Sequence, residues 1–406
     1  MLSKEENEIL ARVGPGTLCG NLLRCYWHPV GIASEFTPSV TKRRVSILGE
    51  HLVLFRKPNG TFGLVGEQCL HRCASLYYGF VEERGLRCAY HGWLFDETGN
   101  CLERPFEPKA GHLSKQLVSY PVEELGGLLF AYFGPPNQKP LLPRWDILVR
   151  PGRRKVEIQD DLDCNWLQLQ ENAVDVVHTF FLHSYMFFTH GMQDASGFNR
   201  PLRRYGFQPF EWGILKSWEY EGPEGAGWGN LMVFPNILRI MTEMHWRVPI
   251  DDLHTRIYWI TFTPLAEDVA TEPDIEIVRQ PKRTGANGEY LLDTFMSQDA
   301  MAVETQGQLV DRSRETLGAS DIGIAMLRRM LREQIDRVQD GKDPIALVRE
   351  PSKNTIIDLR EWFGGYLPMS CAPDNTFRPE RVATSIFDDN HETVEVPVSP
   401  ILERII

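Results

Sequence analysis

The sequence predicts an α+β protein in which a small all-β domain precedes a larger domain whose helices cover an antiparallel sheet. Three observations support this. First, residues 26–136 break into short β-branched and aromatic runs, such as 44–48, 51–55, 61–65 and 127–133, separated by turn signals at 58–60, 97–100 and 134–136. Second, residues 134–143 carry four prolines and read as a link. Third, helical and strand patterns mix after residue 150.

Each element has a local reason. Ser3 followed by Glu6 reads as a capping box opening an N-terminal helix within 1–25. The all-β domain is placed at 26–136 and the larger domain at 137–406. Residues 165–186 read as one helix. Runs such as 231–234 and 256–262 suit strands of a larger antiparallel sheet. Residues 321–339 form an amphipathic pattern, with Ser320 as cap, Ile324, Leu327, Leu331, Ile335 and Val338 as the buried face, and Gly341 as terminator.

Composition narrows the function. A chain of 406 residues exceeds one small core, and 42% hydrophobic with 24% charged residues is ordinary globular usage. A formal net charge of −12 repels phosphate backbones, which argues against a nucleic-acid partner. No run of 18 apolar residues spans a bilayer. The polar, acidic N-terminus lacks a signal-peptide pattern, so a cytoplasmic location is expected. The eight cysteines of such a chain are not a disulfide scaffold.

Two of those cysteines sit beside histidines. Cys69-Leu70-His71 and Cys88-Ala89-Tyr90-His91 offer two thiolates and two imidazoles from two loops of the β domain. Such a set can hold zinc. It can also hold a [2Fe–2S] cluster with both cysteines on one iron and both histidines on the other. One Cys and one His per loop favours the cluster, because each loop then serves both irons. Buried cysteines near unrelated histidines are the bland alternative.

The second constellation is Asp175, His178 and His183. Asp175 and His178 are three apart and share a helix face. His183 lies five beyond His178, and five residues of regular helix rotate by ~140°. For both histidines to meet one metal, the helix must carry a π-bulge or end between them. Two histidines and one carboxylate leave open positions on a mononuclear Fe(II) for O2 and substrate. Satisfied core histidines on an ordinary amphipathic helix are the alternative.

The two metal motifs, with Val13-Gly14-Pro15-Gly16-Thr17, Arg24-Cys25-Tyr26-Trp27-His28-Pro29 and residues 311–321, resemble the α-subunits of Rieske non-haem iron oxygenases over nearly the whole chain, closest to the phthalate and phenoxybenzoate dioxygenase branch. The resemblance implies an all-β Rieske domain, a catalytic domain with a helix-covered antiparallel sheet, and a head-to-tail ring, commonly a homotrimer. It implies Asp299 as the third iron ligand, with Glu304 and Asp311 as alternatives. The macrodipole of a helix start is a bland reason for a carboxylate at 299. It also implies that Asp175 bridges His178 to His91 of the neighbouring subunit, as an electron path.

The implied reaction uses O2 and electrons to dihydroxylate an aromatic, carboxylated compound. The alternatives are monooxygenation by O-demethylation and, remotely, electron transfer alone, which would need only the first ~110 residues. No nucleotide fingerprint is present, so a separate flavin and iron–sulfur reductase using NADH or NADPH is implied. Two departures stand out. Cys73 occupies a usual glycine position, and Val176 replaces a polar residue found in some phthalate-type members, which suits a phenoxybenzoate or methoxylated biaryl acid. Phe180, Phe181, Tyr185, Phe187, Phe188, Trp218, Phe234 and Trp246 are candidate pocket residues, although core packing suits most of them better. Arg203, Arg204 and Arg239 are candidate partners for a substrate carboxylate, with a solvated basic face slightly preferred.

Overall fold

The computed structural model describes residues 2–107, 115–159, 161–190, 202–220, 228–265, 275–363 and 392–395. Cys371 and the side chain of Phe188 lie outside the described set. The N-terminal capping box forms as expected: Glu6 N donates to Ser3 Oγ, and Ser3 N donates to the Glu6 carboxylate. The segment holds two helices instead of one, Lys4–Ala11 and Leu18–Leu23, because Gly14-Pro15-Gly16 interrupts helical pairing.

Three small antiparallel sheets follow. Strand Trp27–Ile32 pairs with Leu128–Tyr132, which pairs with Val122–Leu125. Strands Lys42–Ile47, Glu50–Arg56, Phe62–Gly66 and Ser119–Tyr120 form the second sheet. Strands Phe80–Glu82, Gly85–Arg87, Leu94–Phe95 and Cys101–Glu103 form the third. A separate apolar cluster that includes Val53, Phe55, Leu86 and Phe95 packs around Cys69 and Cys88.

The larger sheet orders nine described strands from Glu276–Arg279 at one edge to Glu392–Glu395 at the other. Every neighbouring pair is antiparallel except Gly152–Ile158 with Glu276–Arg279. Its two faces diverge by residue parity. Trp246 packs on Phe130 of the first small sheet, ring centroids 5.8 Å apart. Its strand neighbours His245 and Arg247 face the other way, toward helices Trp166–Ala173 and Phe295–Glu304.

Helix Ile322–Gln339 buries Leu327, Leu331 and Ile335, while Ile324 and Val338 are partly covered. Its N-cap is Asp321 and not Ser320, because a 3₁₀ turn, Ala319–Asp321, precedes it and the Asp321 carboxylate accepts from Gly318 N. Gly341, at φ +70°, follows its end as expected. This helix contributes Arg328, which joins Arg312 in donating to the buried Glu171 carboxylate. Glu171 lies on the helix that leads into the second motif.

Candidate functional site

The two Cys/His loops share one construction. Cys73 N donates to Cys69 O at 2.9 Å, and Gly92 N donates to Cys88 O at 3.0 Å. The residue closing each loop is left-handed, Cys73 at φ +57° and Gly92 at φ +73°. Cys73 therefore stands where a glycine would be unstrained. The loops bring His71 and His91 together, ring centroids 4.5 Å apart, and His71 stacks on Trp93 at 4.8 Å. Cys69 and Cys88 are buried free thiols, and burial pushes Cys69 up to about 11. His71 Nδ1 is buried without a hydrogen-bond partner. Two sequestered thiols and an orphaned imidazole nitrogen fit a soft metal cluster, since such groups are costly unless something binds them.

The expected helix over 165–186 is broken. Helix Trp166–Ala173, capped by Asn165, stops before Asp175, and a new turn starts at His178. The Asp175 carboxylate causes the break: its Oδ1 accepts from Val177 N at 2.8 Å and His178 N at 3.3 Å, competing with helical pairing. Asp175 thus meets His178 through a capping turn, with Oδ2 3.5 Å from Nδ1, and not across a helix face. Burial would raise its carboxyl, but the contact with His178 outweighs this and lowers it. Phe181–Tyr185 then forms a π-helical turn, the distortion that the five-residue spacing requires.

Helix Phe295–Glu304, capped by Thr294, delivers Asp299 from its interior, beyond the reach of an N-terminal dipole explanation. Donor atoms of His178, His183 and Asp299 lie within 4.8 Å of one another. His183 Nε2 is 3.2 Å and His178 Nε2 is 3.9 Å from Asp299 Oδ1. Asn172 Nδ2 donates to the same oxygen at 3.1 Å. Burial would raise the Asp299 carboxyl, but the hydrogen bond from His183 and the charges of both histidines hold it at about 2. Two imidazoles facing one anionic oxygen are a donor set for a divalent cation. The alternatives Glu304 and Asp311 are engaged elsewhere: Glu304 accepts from Asp163 N, Arg283 and Tyr290, and Asp311 from Ser313.

A cavity of ≈ 360 Å³ opens beside this cluster, within the usual size of ligand sites. Its sheet wall carries Lys216, Asn230, His245, Arg247 and Trp259. Lys216 sits opposite Asn230, and His245 opposite Trp259. Burial pushes Lys216 down to about 8 and Arg247 down to about 10. Lys216 Nζ donates to the Asp175 main-chain carbonyl at 2.9 Å. Arg247 Nη1 reaches Gln170 Oε1 only at 3.4 Å, and its Nε is buried without a partner. Neither cation has a carboxylate within 4 Å among the described residues.

The sequence reading missed these cations and chose others. Arg239, one residue off the cavity face, pairs with Asp146 at 2.8 Å in the opposite layer. Arg204 pairs with Glu219, and Arg203 is exposed. Trp218, Phe234 and Trp246 are buried in the main core, and Phe180, Phe181, Tyr185 and Phe187 stay out of the cavity wall; among the described residues Phe295 and Trp259 are its Phe, Tyr or Trp side chains. A usable signal was present: Glu243, His245 and Arg247 alternate with apolar residues on a fully flanked strand.

Residues 23–121 match the Rieske [2Fe-2S] domain family, and residues 274–357 match the family described as LigXa C-terminal domain like. The chain is 38% identical over 372 residues to the 5,5'-dehydrodivanillate O-demethylase oxygenase subunit of Sphingobium sp. (strain NBRC 103272 / SYK-6), covering 88% of this chain and 86% of that one. It belongs to the Rieske non-haem iron oxygenase family. It is also 37% identical to the phenoxybenzoate dioxygenase subunit alpha of Ectopseudomonas oleovorans, covering 83% and 87% of the two chains. The fold is shared with Pseudomonas putida CBB5 NdmA with caffeine: TM-score 0.59 at 21% identity, covering 82% of this chain and 98% of that one.

As a Rieske oxygenase the chain carries a [2Fe–2S] cluster and a mononuclear iron, and it is an oxygenase component served by a separate reductase. No described helix is long and apolar enough to cross a membrane.

Proposed function

We propose that this oxygenase oxidises a carboxylated aromatic compound in the cavity beside His178, His183 and Asp299. In this reading those three residues hold the mononuclear iron, and Cys69, His71, Cys88 and His91 hold the cluster. The domain division at about residue 136 follows the Pro-rich link. The observation that carries the substrate class is the pair of buried cations, Lys216 and Arg247, with no described carboxylate within 4 Å, in a cavity that Asp299 and Glu243 also line and whose surface is mostly apolar. Buried charge is costly unless matched, so an anionic ligand fits there.

When bound, the two groups supply electrons and O2 activation at open coordination positions. The chain's own residues do the rest. The Asp175 carboxylate lies 3.5 Å from His178 Nδ1 and accepts from the His178 main-chain amide, and in the trimer reading His91 of a neighbouring subunit would meet it. Lys216 and Arg247 orient the substrate by its carboxylate, leaving its ring between Ile257, Phe295 and Trp259. The apolar wall excludes water from the reacting end.

Ring dihydroxylation is the first reading, and the similarity to phenoxybenzoate dioxygenase supports it. The similarity to dehydrodivanillate O-demethylase supports a second, O-demethylation of a methoxylated aromatic acid. In this reading the protein is cytoplasmic, and its remaining partner is a separate NAD(P)H-dependent flavin and iron–sulfur reductase. The test is product analysis on carboxylated and methoxylated aromatics with a surrogate reductase. Diol formation supports the first reading, and stoichiometric formaldehyde the second. Equal turnover of the acids and their methyl esters would sink the anionic-substrate reading.

A further inference from the structure

Gln298 precedes Asp299 on the helix Phe295–Glu304 and is fully buried. Its amide is oriented by a chain of one-way hydrogen bonds. Nε2 donates to the Leu292 carbonyl at 3.0 Å. A carbonyl oxygen only accepts, so the amide NH2 must face it. Oε1 is thereby turned to His183 Nδ1, 2.9 Å away. An amide oxygen also only accepts, so Nδ1 must carry the ring proton. In the neutral imidazole the lone pair is then on Nε2, the atom aimed at Asp299 Oδ1.

From this geometry we infer that Gln298 is a positioning residue for the iron: it holds His183 in the Nδ1–H tautomer, with Nε2 free to bind metal. The inference rests on the reading of His183 as an iron ligand. It also distinguishes the two histidines. His178 Nδ1 faces the Asp175 carboxylate, whereas His183 is held by a neutral, buried amide. A partner on the outer ring nitrogen fixes both the orientation and the tautomer of a ligating histidine, and losing it weakens metal binding by about 10- to 100-fold.

Two measurements test it on the full chain with its cluster retained and the mononuclear iron exchanged for Co(II). In the wild-type protein, proton NMR should give two exchangeable ring N–H signals that appear only when Co(II) is loaded, which separates them from the ring N–H signals of His71 and His91 at the cluster. The one from buried His183 should exchange with deuterium more slowly than the one from the more exposed His178. Absence of a slowly exchanging ring N–H would overturn the inference. In Gln298→Leu and Gln298→Met, Co(II) affinity should fall about 10- to 100-fold while the visible spectrum of the cluster is unchanged. Wild-type affinity in either variant would equally overturn it. If both variants misfold, the wild-type exchange experiment decides alone. Failure of the wild-type protein to bind Co(II) at all would instead remove the ligand assignment on which the inference rests.

Discussion

Replacing Lys216 by methionine should make the protein more stable and less active, and the size of the first effect follows from burial. Burial pushes the Lys216 ammonium from the ordinary 10.5 to about 8. At 1.36 kcal/mol per tenfold, keeping it charged below pH 8 costs roughly 3 kcal/mol. Methionine fills a similar apolar volume without the charge. It forfeits the hydrogen bond to the Asp175 carbonyl, worth about 1 kcal/mol, for a net gain near ~2 kcal/mol at neutral pH. The sign is set by the lowered pKa: between about pH 8 and 10.5 the folded state binds fewer protons than the unfolded one, so wild-type stability climbs. The variant's advantage should shrink over that window. Urea unfolding, followed by tryptophan fluorescence from neutral to alkaline pH, measures both the gain and its disappearance. A variant less stable than wild type at neutral pH, or an advantage constant across the window, would refute the buried-charge argument. With a carboxylated substrate, kcat/KM should fall by about 10- to 100-fold, the worth of one charge-assisted hydrogen bond.

The other expectations concern separate groups. Asp175→Asn keeps an oxygen for the Val177 and His178 amides but removes the charge, so both metal centres should stay bound while electron transfer to the iron and product formation collapse. Steady-state turnover with metal analysis checks this, and full activity would place the path elsewhere. Iron affinity should weaken as pH falls: burial alone would lower the pKa of His183, but its contact with Asp299 raises it, and the proton must leave before a metal binds. Titration of the iron-depleted protein at several pH values reads the trend. Glu171→Gln leaves Arg312 and Arg328 facing a neutral group, and should cost about 3–5 kcal/mol in denaturant unfolding. Cys73→Gly should relieve part of a left-handed strain of about 1–2 kcal/mol, raising the thermal midpoint of cluster bleaching with the visible spectrum unchanged.

The proposed metal donors were legible because covalent spacing carries them. Two residues from Cys69 to His71 and three from Cys88 to His91 suffice to place each thiol beside its imidazole on one tight loop. The five-residue step from His178 to His183 likewise demanded a helical distortion, and Phe181–Tyr185 supplies it. The α+β class followed from periodicity for the same reason. Local error entered where a side chain could choose its partner: Asp175 capped its own turn and split the helix expected over 165–186.

What only the tertiary structure decided depends on contacts far apart in sequence. Asp299 reaches His183 across more than a hundred residues, and Gln298 acquires its role only because Leu292 orients its amide. The cavity cations were hidden by parity. On a strand, one residue separates Arg239's neighbours on the cavity wall from Arg239 itself, which is paired with Asp146 in the opposite layer. Composition names the charges a chain carries. Which of them is buried without a counter-ion is set by the packing of both faces of a sheet, and that is known only once every layer is in place.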